Sequence, residues 1–340
     1  MSSKLLIEVN QAPQQAAMHL QMQEARYIEL TDHLKQKKIR QLITVARGSS
    51  DHAAAYLAYL CMIKLGIVAT SLPMSLATLH KVQFDATSAL AVAFSQSGQS
   101  PDLSMTMNHL SQCGAETLAL VNVSTSPLAA SAARTIALLA GPENSVAATK
   151  SFIAQLVASL CLVSHWSADQ RLLKAKTVLV EALQSALKLD WTILAGRFES
   201  AEKMFIVSRG LGMPAAFEAA LKLKEICGIQ AEAISNAEIK HGPMALIDRD
   251  FPVLVFATSG PELQGLLDFA QQMRQRGANL VMAGPAGAHG VDLPIVQTGF
   301  SELDTITAIQ SFYPLIEALS RLRGLDPDKP PYLTKITQTQ

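Results

Sequence analysis

With 340 residues the chain is long enough for two domains of ordinary size, each with its own core. Hydrophobic residues make up 49% and charged residues 16%, which excludes a chain dominated by disorder. Lys plus Arg balances Asp plus Glu at 28 each, so net charge gives no reason to expect nucleic acid or an anionic membrane as partner, while a small anion in a local pocket stays open.

The pattern along the chain begins with a polar, helix-forming stretch over residues 14–35, with Met18, Met22, Tyr27, Ile28 and Leu30 at helical spacing. Leu42-Ile43-Thr44-Val45-Ala46 reads as a buried strand, followed by a helix through Tyr56 and Leu60. Residues 89–94 form the next strand and lead to a helix ending near Gln112, and residues 117–121 and 135–139 continue the strand series. Residues 152–197 read as helical throughout. Strands then resume at residues 204–207, 252–256, 279–282 and 293–296. Alternating strands and helices predict parallel sheets with helices on both faces, an α/β fold.

The longest apolar run, residues 151–163, is interrupted by Gln155 and too short to cross a bilayer. The first six residues lack the apolar core of a signal peptide. Cys61, Cys113, Cys161 and Cys227 lack CxxC spacing and read as buried free thiols, expected in a reducing cytosol. The eight histidines show no ligand spacing, so neither metal nor other cofactor is expected.

The second run of strands reads as a duplication. Arg47-Gly48 recurs as Arg209-Gly210, an offset of 209 − 47 = 162, and Ser97-Gly98 recurs as Ser259-Gly260 at the same offset. Both pairs fall after a strand, which implies two homologous α/β domains.

Two loops of the first domain fall at carboxyl ends of strands, where open parallel sheets place ligands. One is Arg47-Gly48-Ser49-Ser50; the other is Ser95-Gln96-Ser97-Gly98-Gln99-Ser100. Ser100 suits a helix N-cap and Pro101 the first helical turn. Hydroxyls and helix N-termini favour a phosphate dianion, and Gly98 allows close backbone approach. A Ser-rich cap with no ligand is the bland alternative, and Arg47, being duplicated, reads as structural. A dinucleotide site would want a three-glycine turn that the chain lacks.

These two loops resemble the phosphate loops of sugar isomerase (SIS) domains. The resemblance extends through Val146-Ala147-Ala148-Thr149-Lys150, the segment from Glu218 to Glu225, Glu238-Ile239-Lys240-His241-Gly242-Pro243, and the tail from Asp326 to Lys335. The order is that of the isomerase half of glucosamine-6-phosphate synthase, and the chain is similar to stand-alone glucosamine-6-phosphate deaminases of this type. The resemblance implies two tandem SIS domains, each a three-layer α/β/α sandwich of flavodoxin type. The expected divisions are a helical segment 1–35, domains 36–168 and 197–325 joined by a helical linker 169–196, and a tail 326–340 reaching the active site. The synthase's glutaminase domain carries a nucleophilic Cys directly after Met, whereas this chain begins Met1-Ser2 with no room for that domain, so ammonia from glutamine is not expected.

The resemblance further implies a hexosamine 6-phosphate substrate held by Ser49, Ser50, Ser95, Gln96, Ser97 and Ser100, with backbone contacts at Val146 and Ala147. Ala148 replaces the family's Ser and removes a hydroxyl from the sugar. Glu225 is implied as the base moving a proton between C2 and C1, with Lys222 implied as a further catalytic residue on the same helix face; helix pattern alone favours reading Glu218, Lys222 and Glu225 as a solvated salt-bridge stripe. His241 is implied in ring opening across a homodimer boundary, and Lys335 in contact with the sugar, as Schiff base or oxyanion partner. The expected reaction is glucosamine 6-phosphate to fructose 6-phosphate and ammonia. Galactosamine 6-phosphate, an amine adduct, or a non-catalytic sugar-phosphate sensor are the alternatives.

Overall fold

The computed structural model of the chain describes residues 2–335. Helix α1 (Lys4–Lys37) is followed by β1 (Gln41–Val45), α2 (Ser49–Leu65), β2 (Val68–Ser71), the single turn α3 (Ser75–Thr78), β3 (Ala89–Ser95) and α4 (Pro101–Gln112). Then come β4 (Glu116–Val121), the turn α5 (Pro127–Ala130), β5 (Arg134–Ala137), α6 (Lys150–Ser167) and α7 (Gln170–Ala186). The second half holds β6 (Lys203–Ser208), α8 (Met213–Cys227), β7 (Gln230–Ser235), β8 (Pro252–Phe256), α9 (Leu263–Gln275), β9 (Asn279–Pro285), β10 (Leu293–Ile295) and α10 (Asp304–Leu322). No helix among the described residues is long and apolar enough to cross a membrane.

Two compact units share the chain. The first takes Gln14–Glu143, Lys150–Thr177 and the tail from Thr334; the second takes the chain up to Pro13, Asn144–Thr149 and Val178–Leu333. The first holds an all-parallel sheet in the order β2-β1-β3-β4-β5, the second one in the order β10-β9-β8-β6-β7. Moving 162 residues on from β1, β2, β3 and β4 lands on β6, β7, β8 and β9, so the two sheets have one topology. The repeated dipeptides thus mark a duplicated α/β fold.

All seven residues of β3 are buried. Successive side chains in a strand point to opposite faces, so both faces of this sheet are covered. Ala91 and Ala93 of β3 pack with Val45, Ala119 and Val121 against Leu103, Met107 and Leu110 of α4. In the second unit Val253 and Val255 of β8 pack with Val207 and Met282 against Leu266, Phe269 and Met273 of α9.

The long helical reading of residues 152–197 needs correction. Helix α6 stops at Ser167, Ala168 turns to φ 54, and Asp169 accepts the N–H groups of Arg171 and Leu172 to start α7. The stretch ends in a 3₁₀ segment, Thr192–Phe198. In α1, Met18, Met22 and Ile28 are exposed rather than inward. The buried stripe of the first unit runs through Ala16, His19, Gln23, Tyr27, Leu30 and Leu34, and its two polar members masked the helical period. Three cysteines are buried, but Cys113 is only half-buried; burial pushes the Cys61, Cys161 and Cys227 thiols up to about 12.

His19 carries a pH dependence. It is fully buried, with Nδ1 3.0 Å from the Leu138 carbonyl oxygen and Nε2 2.8 Å from the Tyr27 hydroxyl. Burial pushes its imidazole down from 6.5 to about 4, against partial support for the cation from the Leu138 carbonyl. Between those values the unfolded chain binds the proton and the folded chain does not, so stability falls as pH drops from 6.5 toward 4. The full effect is about 3 kcal/mol. Urea unfolding of wild type and His19→Gln across this window should show wild type losing that much more than the variant. Parallel losses would contradict it.

Candidate functional site

In the first unit the strand order reverses between β1 and β3, and open α/β sheets bind ligands at such a switch point, beyond the strands' carboxyl ends. The loops leaving β1 and β3 are the two serine loops. Gly48, at φ 54, turns the chain into α2, so Ser49 and Ser50 form its first turn. The Ser50 hydroxyl oxygen accepts from Gln155 Nε2 at 2.9 Å. Arg47 donates from Nη2 and Nε to Asp102 Oδ2 at 2.9 and 3.2 Å, and Asp102 is buried at the start of α4. This ion pair ties the two loops together, which is the structural role expected of Arg47.

The second loop is shaped by its own hydroxyls. Gly98 N–H donates to Ser95 Oγ at 2.9 Å, and Gln99 N–H donates to Ser97 Oγ at 3.3 Å. Gly98 sits at φ 65, and a Cβ there would lie 2.1 Å from Ser126 Oγ, so glycine is required by conformation and by packing. Ser100 is extended at the N-cap of α4 and Pro101 follows in the first turn, as predicted, but the Ser100 hydroxyl makes no capping bond. Gln96, Ser97 and Ser100 are half-buried. Oxygens that accept loop N–H groups on one lone pair keep their own hydrogens available to donate, and two helix N-termini add partial positive charge. That combination suits a phosphate dianion.

The equivalent switch point of the second unit, between β6 and β8, has the opposite character. Ser259 N–H donates to Asp304 Oδ2 at 2.7 Å, and a Cβ on Gly210 would lie 2.4 Å from Glu262 Oε1. Carboxylates stand where the first unit presents hydroxyls, so the duplicated loop does not suit an anion.

Helix α8 of the second unit carries the proton-transfer candidates. Pro214 lies in its first turn, and Gly228 closes it in the left-handed conformation, giving its N–H to Leu223 O. Glu218, Lys222 and Glu225 share one face, but this is not a solvated stripe: Glu218 and Lys222 are fully buried and Glu225 is 21% exposed. Lys222 Nζ lies 3.3 Å from Glu218 Oε1 and 2.5 Å from Glu225 Oε2, and Tyr313 of α10 donates to Glu218 Oε1 at 3.4 Å. Burial alone would lower the Lys222 ammonium, but the carboxylates of Glu218 and Glu225 outweigh it and hold it above its ordinary value. The result is a fixed carboxylate, Glu225, that remains reachable. Tyr313 was not foreseen, since nothing in its helical pattern distinguishes it from core.

The remaining candidates are placed as follows. Val146 and Ala147 belong to the second unit, where their loop is pinned by Glu8: its buried carboxylate accepts from Asn144 N, Ser145 N and Ser145 Oγ. His241 is exposed at the end of the 3₁₀ turn Glu238–His241 of the same unit. In the tail, Asp328 accepts from Lys4 N at 2.8 Å and Leu5 N at 3.0 Å, which caps α1. Lys335, in the first unit, places Nζ 3.1 Å from Glu143 Oε2; Glu143 is fully buried and also accepts from Ser151 N and Oγ. Residues 336–340 of the expected tail lie outside the described residues. Glu143 too went unforeseen, because an isolated acid in a loop gives no sequence signal.

The SIS domain family matches residues 33–164 and 197–283. The glutamine–fructose-6-phosphate aminotransferase (isomerizing) of Methanothermobacter thermautotrophicus is 34% identical over 318 residues, covering 88% of this chain and 51% of the relative. The chain thus spans about half the length of such curated relatives. A crystal structure from Silicibacter pomeroyi DSS-3, provisionally described as a phosphosugar isomerase, is 35% identical with a TM-score of 0.91, covering 96% of this chain and all of that one. Glucosamine-6-phosphate deaminase from Thermotoga maritima has a TM-score of 0.79 at 21% identity over 99% of this chain and 100% of its own, a likeness of fold. With its parallel α/β unit built twice and the family's pattern matched in both halves, the chain belongs to the SIS domain family.

Proposed function

We propose that the chain deaminates glucosamine 6-phosphate to fructose 6-phosphate and ammonia. The observation that carries this reading is the Glu218–Lys222–Glu225 row, a buried cation holding one reachable carboxylate. The serine loops at the β1/β3 switch point take the phosphate. His241 moves the proton between the anomeric hydroxyl and the ring oxygen as the sugar opens. Glu225 takes the C2 proton of the open aldehyde, leaving an enolamine, and returns it to C1. The C2 imine that results adds water and releases ammonia, leaving the ketone of fructose 6-phosphate. Lys335 stabilises the carbonyl oxygen. The exposure of His241 fits a homodimer in which it serves the neighbouring subunit's site.

The named relatives support a hexose phosphate substrate, and Ala148, where the family resemblance has Ser, favours testing related amino sugars. Purified protein incubated with glucosamine 6-phosphate, galactosamine 6-phosphate and an amine adduct of fructose 6-phosphate should release ammonia fastest from the first. Release no faster than from Glu225→Gln with all three, despite tight binding, would replace the enzyme reading by a sensor.

A further inference from the structure

We propose that Gln155 is a positioning residue that sets the Ser50 hydroxyl as a hydrogen-bond donor to the bound phosphate. This rests on the reading of the serine loops as a phosphate site. Residues 150–164 of α6 are all buried, so this helix is wrapped by protein on every side, and Gln155 is 1% exposed. An amide in such a place has to be explained, since an apolar residue of the same shape would pack there without a desolvation cost.

The explanation lies in what the amide touches. Its Nε2 donates to Ser50 Oγ at 2.9 Å, across 105 residues of sequence and inside the first unit. Its Oε1 is buried with no hydrogen-bond partner among the described residues. The side chain is therefore kept for its N–H₂ end at the expense of an orphaned acceptor. A serine hydroxyl has one hydrogen and two lone pairs. With one lone pair filled by Gln155, the hydrogen must point elsewhere. Ser50 lies in the first turn of α2, where helix polarity and loop geometry already favour an anion. The buried amide thus converts an ambivalent hydroxyl into a fixed donor facing that anion. A carboxylate here would reverse the polarity, accepting the Ser50 hydrogen and withdrawing it from the ligand.

The test is calorimetric binding of fructose 6-phosphate to wild type, Ser50→Ala, Gln155→Met and the double variant, each first shown to melt cooperatively. Ser50→Ala should weaken binding about tenfold, Gln155→Met about three- to tenfold, and the double variant no more than Ser50→Ala alone. Steady-state kinetics should place the Gln155→Met effect in KM, with kcat within about twofold. Losses that multiply in the double variant, or a Gln155→Met protein with wild-type affinity beside a weakened Ser50→Ala, would overturn the role of Gln155 alone. Unchanged affinity in Ser50→Ala would overturn the phosphate reading itself. Should Gln155→Met fail to fold, Gln155→Glu substitutes for it: affinity should drop at least to the Ser50→Ala level, and wild-type affinity would overturn the inference.

Discussion

Glu225→Gln is expected to lower ammonia release from glucosamine 6-phosphate about 10²–10⁴-fold, the range over which a positioned acid–base group contributes. The amide keeps the shape of the side chain but cannot take the C2 proton. Because the serine loops are untouched, hexose phosphate affinity should change little, so the loss falls on kcat rather than KM. The contrast with Ser50→Ala is the diagnostic part: that variant loses affinity and keeps turnover at saturation. A Glu225→Gln enzyme with more than a tenth of wild-type kcat would remove Glu225 from the mechanism.

Lys222→Met is expected to cost about 3–5 kcal/mol of stability, because it leaves the fully buried Glu218 without its cation. Tyr313 still donates to Glu218, but a 3.4 Å hydrogen bond does not replace a charge. The same substitution frees the Glu225 carboxylate that Lys222 fixes, so activity should fall as well. The pH dependence has a definite sign. The folded ammonium is held above its ordinary value, so its contribution to stability is complete below a pH of about 10.4 and disappears as pH rises through the folded value. Urea unfolding at pH 7 and at successively more alkaline pH reads both effects. Lys222→Met should lack the alkaline loss that wild type shows through this group, and a variant as stable as wild type at pH 7 would contradict the buried row.

Strands central to each sheet were legible because burial on both faces writes a continuous apolar run: β3, β4, β8 and β9 all fell within a residue or two of expectation at their starts. Strands β2 and β7 were not, and each lies at a sheet edge. Val68–Ser71 holds no fully buried residue, and Gln230–Ser235 mixes Gln, Glu and Ser with alanine, so neither pattern stands out from loop. The 162-residue offset links the two and could have exposed them as a pair. The start of α1 was missed for another reason: Pro13 inside the helix argues locally for a break, although Ser3 Oγ accepts from Leu6 N as a local N-cap at 3.2 Å and Asp328, more than 300 residues downstream, takes the N–H groups of Lys4 and Leu5. At the site, motif resemblance led to Glu225 and Lys222, while helix pattern alone pointed to a surface stripe. What pattern could not supply was burial: Glu218 and Lys222 are fully buried, and Tyr313 donates to Glu218 from a neighbouring helix. Gln155 registered only as an interruption in an apolar run, because its partner Ser50 is distant in sequence.

The central claim is that Glu225 moves a proton at C1 and C2 of a hexose 6-phosphate. Fructose 6-phosphate incubated with the protein and ammonium in deuterated water, so that the C2 imine can form, tests it by mass spectrometry and NMR of the recovered sugar. The claim predicts deuterium at C1 with wild type and none above background with Glu225→Gln. A wild-type protein that binds the sugar yet leaves C1 undeuterated, or a Glu225→Gln protein that exchanges as fast as wild type, would contradict it.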